Sequence, residues 1–298
     1  LKLTDLVNMF MEARRADGRA ERTLKDYRRV LRPFEEWCVK QDITSDRLNR
    51  DLVRQYVAGL RDVGWGVGTV GIHVRNLRSF LHWLYEEGQS AQNLAQAIKA
   101  PKLVERAEDL PTDEELFGLL SACDGDRQAL RDQAIILALL DTGLRIGEFV
   151  QIQRESFHVD HEYGTAWIPI YAPKTNTQRF AFLGTAATRA VQVYLDERSD
   201  SLPALWAGCR GPLTKEGVYK VVRRRAVAAG LNPARVHPHA FRKLFATFWT
   251  KNGGDSVRLM RVGGWLTDAM LGRYILLAKR KELAEAHRQY GPVDGMLK

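Results

Sequence analysis

The stretch "VHPHAFRKLFAT", residues 236–247, sets two histidines, an arginine and a lysine beside a phenylalanine-rich run. Pro238 has a preset φ and lacks the N–H that a first helical turn leaves unbonded, so a helix is expected to start near His239. Phe241, Leu244, Phe245 and Phe248 follow at helical spacing and form its apolar stripe. His239 and Arg242, three positions apart, project together on another face. His237 falls off the helix and Lys243 turns away, which leaves His239 with Arg242 as the functional pair. Three uses stand open: a metal site, a solvated helix surface, or a grip on an anion. Metal binding is the least favoured, because His237 and His239 bracket a proline with no carboxylate or cysteine at ligand spacing.

Outward from this helix, the C-terminal two thirds alternate helices with one strand-rich stretch. "TDEELFGLLSA" opens with a capping box, Thr112 and Glu115. "DRQALRDQAIILALLDTG" reads as a buried helix closed by Gly143, and "TGLRIGE" then places Arg145 and Glu148 three apart. "YGTAWIPIY" and "QRFAFLG" flank "APKTNT", a hairpin with Lys174 near its tip. "TKEGVYKVVRRRAVAAG" is a helix with Val218, Val221 and Val222 inward and Arg223 and Arg224 on its polar face. Trp265 follows paired glycines, and Tyr274 comes nine residues later on an expected helix. Each has a plainer reading when taken singly: Glu148 as an ion-pair partner, Lys174 as a solvated turn, Trp265 as core, Tyr274 as a half-buried aromatic.

The first hundred residues carry four amphipathic stripes, such as Leu6, Met9, Phe10 and Ala13, or Val70, Leu77, Phe80, Leu81 and Leu84. Four helices around one core are expected. Their polar faces hold Arg28, Arg29, Arg75 and Arg78 among other cations, a solvated surface singly and a track for a phosphate backbone as a set. The stretch 99–111 has two prolines and no periodicity. The expected division is a helical domain over 1–100, a linker over 101–110, and a second domain over 111–298 ending in a short amphipathic helix near Leu283 to His287. The fold class is mainly α with a small β-hairpin or sheet.

The net charge of +9 over 298 residues favours a polyanionic partner, nucleic acid before an acidic membrane. Cys38, Cys123 and Cys209 are scattered and lack CxxC spacing, so neither a disulfide framework nor a cysteine zinc site is indicated, and a reducing, cytoplasmic compartment is expected. The longest apolar run, "AIILALL", is too short to span a bilayer. No signal pattern opens the chain, and its start at Leu1 implies a short missing N-terminal extension. No phosphate-binding glycine loop and no acidic metal cluster is found, so no cofactor and no metal is expected.

The ordered series Arg145, Lys174, His239, Arg242, Trp265 and Tyr274 resembles the catalytic set of the tyrosine recombinase (phage integrase) family, in the style of its two-domain Xer and Cre-like members. "TGLRIGE", "PKTNTQRFAFL" and "HPHAFRKLFAT" carry the resemblance, and "TLKDYRRVLRPFEEWC" and "LRSFLHWLYEEG" extend it to the family's core-binding domain. Two departures stand out: Lys243 where the family often has His, and Gly263–Gly264–Trp265 where it usually has Leu–Gly–His. An indole N–H donates but cannot shuttle a proton, so Trp265 can bind phosphate or buttress the nucleophile only.

The resemblance implies a helical core-binding domain followed by a catalytic domain, clamped on double-stranded DNA near the nucleoid. It implies that Tyr274 attacks a phosphodiester, giving a 3′-phosphotyrosyl intermediate and a free 5′ hydroxyl. Arg145 and Arg242 would hold the non-bridging oxygens, His239 assist proton transfer, Lys174 protonate the leaving oxygen, and Glu148 orient its neighbours. A tetramer on DNA is implied, with no membrane partner and accessory proteins undefined. Three other functions share part of these signals: a type IB topoisomerase-like relaxase, an inactive DNA-binding protein on the same scaffold, and a metal-dependent nuclease using His237 and His239. From the length, no extra N-terminal arm-binding domain is expected.

Overall fold

The structure, a computed structural model, describes residues 2–102, 109–126, 128–172 and 177–267. The chain divides into two compact units, Leu1–Ala107 and Glu108–Lys298.

The first unit is helical: α1 (Leu3–Ala16), α2 (Glu21–Lys40), α3 (Arg50–Asp62) and α4 (Val67–Glu86), followed by a 3-10 turn at Leu94–Ala97. Phe10, Phe34, Leu77, Phe80 and Leu81 are fully enclosed at its centre. Phe10 meets Tyr27, Phe80 and Trp83 edge-on at 5.0–5.5 Å, the arrangement that aromatic quadrupoles favour. The stripe on α1 differs from expectation at one position. Leu3, Leu6, Val7 and Phe10 fill the i, i+3, i+4, i+7 face, so Met9 lies off it and is exposed. His73 and Tyr56 are buried together and share a hydrogen bond of 3.1 Å. Burial pushes the His73 imidazole below its ordinary value, as expected for a group whose charged form is desolvated.

The second unit contains α5 (Asp113–Ser121), α6 (Ala129–Thr142), α7 (Ile146–Phe149), β1 (His158–Asp160), β2 (Thr165–Ala172), β3 (Thr177–Leu183) and α8 (Thr185–Asp196). It continues with β4 (Ala207–Gly208), β5 (Gly211–Pro212), α9 (Lys215–Ala228), α10 (Pro238–Lys251) and α11 (Ser256–Gly263). The capping box opening α5 forms: Glu115 N–H donates to Thr112 Oγ1 (3.2 Å) and Thr112 N–H to Glu115 Oε2 (2.8 Å). Helix α6 is apolar nearly all round and packs on α8, α9, α10 and β3, which makes it the hub of the unit. Its single enclosed charge, Asp132, accepts from Arg131 (2.8 Å) and Arg225 (2.8 Å) and also pairs with Arg224.

Strands β1, β2 and β3 form an antiparallel sheet in sequence order, with Trp167 opposite Phe182 and Ile170 opposite Arg179. Ile168, Ile170, Ala181 and Leu183 face the core. Phe180 and Phe182, alternating with them, are half exposed. The mainly helical class with a small sheet agrees with the sequence expectation.

Helix α10 begins at Pro238, one residue earlier than expected, because His237 caps it: its Nδ1 accepts the Ala240 N–H at 3.1 Å. Phe241 and Leu244 enter the core, and Lys243 is only 6% exposed. The helix is surrounded on more than one side, so its polar residues have little surface to reach.

Candidate active site

Four segments converge at the C-terminal end of α11, and the local sequence explains each. Helix α6 stops at Gly143, whose left-handed φ of +56° accepts the chain reversal. Arg145 follows as the residue preceding α7. Glu148, three residues on, bends back so that its carboxylate accepts the Arg145 N–H (3.0 Å) and Arg145 Nη1–H (3.2 Å). Arg145 Nη2 then donates to the Gly264 carbonyl at 2.8 Å.

From α10, Arg242 sends Nη2 to the Gly263 carbonyl at 2.7 Å and Nη1 to the Gly143 carbonyl. Its guanidinium lies 4.0 Å from the centroid of the Trp265 ring, within cation–π range. Trp265 in turn stacks on Phe245, with centroids 6.4 Å apart.

The Gly263–Gly264 pair makes this possible. A Cβ at 263 would fall 1.8 Å from Trp265 Cζ3, so only glycine lets the indole fold back on the helix end. Gly264 has φ +68° and closes α11, with its N–H on the Met260 carbonyl at 2.8 Å.

A residue that sequence reading missed completes the group. Arg179 on β3 grips Glu148 with both terminal nitrogens, Nη1 to Oε1 at 3.1 Å and Nη2 to Oε2 at 2.7 Å. Its Nε donates to the Val262 carbonyl at 3.1 Å. The signal was present in the strand: Arg179 is in phase with Ala181 and Leu183, so a charge was assigned to the core face.

The electrostatics follow from these contacts. Burial pushes the Glu148 carboxyl up, but the Arg179 fork, with Arg145 behind it, outweighs burial and holds the carboxyl below the usual carboxylate range. Three guanidiniums against one carboxylate leave a surplus of positive charge. Guanidinium forks match the spacing of two phosphate oxygens, so the group can hold a phosphodiester and stabilise charge building on it.

His239 is exposed on the same helix as Arg242. Its ring lies 6.4 Å from that of His237, whose Nδ1 is committed to the helix cap. Among the described residues, no group of three or more His, Cys, Asp or Glu could hold a metal ion. Lys174, Tyr274 and the tail around Leu283 to His287 lie outside the described residues. Arg75, Arg78 and Arg223 are exposed on their helices. Arg28 donates to Asn8, Arg29 pairs with Asp26, and Arg224 serves the buried Asp132. Arg224 therefore has a structural duty that its place on a polar face did not announce. Burial raises the Cys38 thiol to about 12 and the Cys123 thiol to about 11, while Cys209 is exposed. Among the described residues, no helix is long and apolar enough to cross a membrane.

Residues 111–281 match the phage integrase family, and residues 8–88 match the phage integrase N-terminal SAM-like domain. The chain belongs to the phage integrase family. It is 25% identical over 285 residues to tyrosine recombinase XerD of Oceanobacillus iheyensis, covering 92% of this chain and 94% of that protein. It is 30% identical over 246 residues to tyrosine recombinase XerC of Halalkalibacterium halodurans, covering 78% and 79%. Solved structures share the fold. The XerH site-specific recombinase in a post-cleavage complex with palindromic difH substrate aligns with TM-score 0.75 at 18% identity, over 89% of this chain and 79% of that one. A lambda integrase tetramer bound to a Holliday junction aligns with TM-score 0.75 at 17% identity, over 92% and 77%.

Proposed function

We propose that this protein is a site-specific DNA recombinase that cleaves and rejoins duplex DNA through a 3′-phosphotyrosyl intermediate, without metal or cofactor. The observation that carries the reading is the convergence of Arg145 and Arg242, from separate segments of the second unit, on the consecutive carbonyls of Gly264 and Gly263. Family membership and the XerD and XerC relatives support it.

In this reading Arg145 and Arg242 hold the non-bridging oxygens of one phosphodiester. Tyr274 attacks phosphorus in line. A tyrosine hydroxyl has a pKa near ~10 and is a weak nucleophile until its proton has a destination; His239 receives that proton. The new O–P bond displaces the 5′ oxygen, to which Lys174 donates a proton. The phosphotyrosyl bond conserves the energy, and a second 5′ hydroxyl reverses the step. Trp265 holds the Arg242 guanidinium from one side, and Glu148 orients Arg145.

The domain limits proposed are 1–100 for core binding, 101–110 for the linker and 111–298 for catalysis. Arg28, Arg29, Arg75, Arg78, Arg223 and Arg224 are the proposed DNA-backbone contacts. Four such sites must act on two duplexes, so a DNA-bound tetramer is proposed, in the compartment that holds the chromosome.

The test is a covalent trap. DNA captured on the protein in cells is sequenced to obtain the site, and that site is rebuilt as a nicked suicide substrate. The wild type should form a covalent adduct bearing a free 5′ hydroxyl, and paired sites should yield four-way junctions. Tyr274→Phe should form none. Adduct formation by Tyr274→Phe at the wild-type level overturns the nucleophile assignment. Supercoil relaxation without junctions turns the reading to a relaxase, and absence of any wild-type adduct to a DNA-binding protein.

A further inference from the structure

Three consecutive carbonyls, those of Val262, Gly263 and Gly264, are each taken by a different arginine: Arg179 from β3, Arg242 from α10 and Arg145 from before α7. Two of these arginines belong to the site as read above. The third, Arg179, is buried more deeply than Arg145, with side-chain exposures of 11% and 47%. It is also the closer partner of Glu148, at 2.7 Å against 3.2 Å, and it engages both carboxylate oxygens.

We propose that Arg179 is a positioning residue of the phosphodiester site: it neutralises Glu148, so that Arg145 keeps its charge for a phosphate, and it locks Arg145 to the 262–264 turn. The inference rests on the recombinase reading for its consequence in catalysis.

The electrostatic argument is a competition for one carboxylate. A buried carboxylate left facing Arg145 alone would cancel that guanidinium's field at close range, where a low local dielectric strengthens the pairing. With the Arg179 fork satisfying both oxygens, the pair Arg179–Glu148 is neutral and Arg145 remains a net cation. The geometric argument is a closed ring. Arg179 binds Glu148, Glu148 binds the backbone and side chain of Arg145, Arg145 binds Gly264, and Val262 returns to Arg179. The turn even fits the arginine: a Cβ at Gly264 would stand 2.8 Å from Arg179 Nε. A fork is needed for this, since a lysine offers a point charge and cannot reach two oxygens and a carbonyl in one plane.

The experiment uses the full chain with Arg179→Met, Arg179→Lys, Glu148→Gln and the double variant Arg179→Met/Glu148→Gln. Carbon-13 carboxyl NMR on DNA-free protein follows the titration of Glu148. In Arg179→Met it should rise by about one pH unit or more, because its main counter-ion is gone. Arg179→Lys, which keeps the charge, should shift it less. On the suicide substrate, Arg179→Met should cleave about 100-fold more slowly, the scale of one lost charge-stabilising group. Its DNA dissociation constant should stay within about threefold of wild type, because backbone contacts elsewhere supply most affinity. The double variant should regain about tenfold over Arg179→Met, since removing the carboxylate frees Arg145 again; a merely structural ion pair would regain stability to the same degree as rate, so urea unfolding of both variants separates the two. An unchanged Glu148 titration in Arg179→Met, or a double variant no faster than the single, overturns the proposal. If the wild type forms no adduct, the recombinase reading fails, and the NMR titration alone decides whether Arg179 sets the charge of Glu148.

Discussion

The Arg242 guanidinium lies over the Trp265 ring, 4.0 Å from the indole centroid, and Phe245 stacks on the same indole. The indole serves as a wall that holds a buried arginine in one plane. This explains how Trp can occupy a position where the related pattern has a histidine: the wall needs a flat face, not a proton. Trp265→Phe keeps a face and should cleave DNA within about tenfold of wild type. Trp265→Ala opens a cavity beside the fork and should lose roughly 3–5 kcal/mol of stability along with most cleavage. Single-turnover cleavage and urea unfolding measure both, and equal behaviour of the two variants would contradict the account.

Gly264→Ala tests the turn that the three arginines share. At φ +68° a side chain is strained, by roughly 1–2 kcal/mol, and the new methyl would also press on Arg179. Lower thermal stability and slower cleavage should appear together. A variant as stable as wild type but still slow would show that the position of Arg179 matters more than backbone strain.

Glu148 should leave a mark on the pH dependence of stability. Its folded-state carboxyl lies below the ordinary range. Stability from such a group is complete above the unfolded value, ~4.3, and is lost as pH falls through the lower folded value. Urea unfolding of wild type and Glu148→Gln should therefore differ most above about pH 5 and converge in acid. A gap that widens on acidification would reverse the sign and refute the assignment.

The arginines proposed to contact DNA separate by structural duty. Arg75 and Arg78 are exposed on α4 and, among the described residues, engage in no ion pair. Changing either to Ala should leave stability within about 0.5 kcal/mol and lower the salt dependence of DNA binding by about one ion. Arg224 pairs with the enclosed Asp132, so Arg224→Ala should destabilise the second unit as well. Binding isotherms at several salt concentrations, with unfolding curves, distinguish the two outcomes.

Much of the helical plan was legible because it is local. The Thr112–Glu115 box, the stop at Gly143 and the stripes of α3 and α4 follow from spacing and capping alone. The sheet was harder. Strand β3 turns Ala181 and Leu183 inward and leaves Phe180 and Phe182 half exposed, so residue size points the wrong way there. Ala181 and Leu183 face inward on the side where α6 packs on that strand. The burial of Lys243 was not legible, because spacing on one helix cannot reveal that neighbours close over more than one of its faces.

Local spacing and capping were enough for the four helices of the first unit and for α5, α6, α9 and α10, for the order of candidate residues along the chain, and for the chemistry that two guanidiniums and a phenol allow. Folding in three dimensions was needed to bring Arg145, Arg179 and Arg242 onto three successive carbonyls, and to make Glu148 serve Arg179 before Arg145. The physical reason is range: caps and stripes act over a few residues, whereas these contacts join segments far apart in sequence, and each forms only where the packing around α6 brings them together.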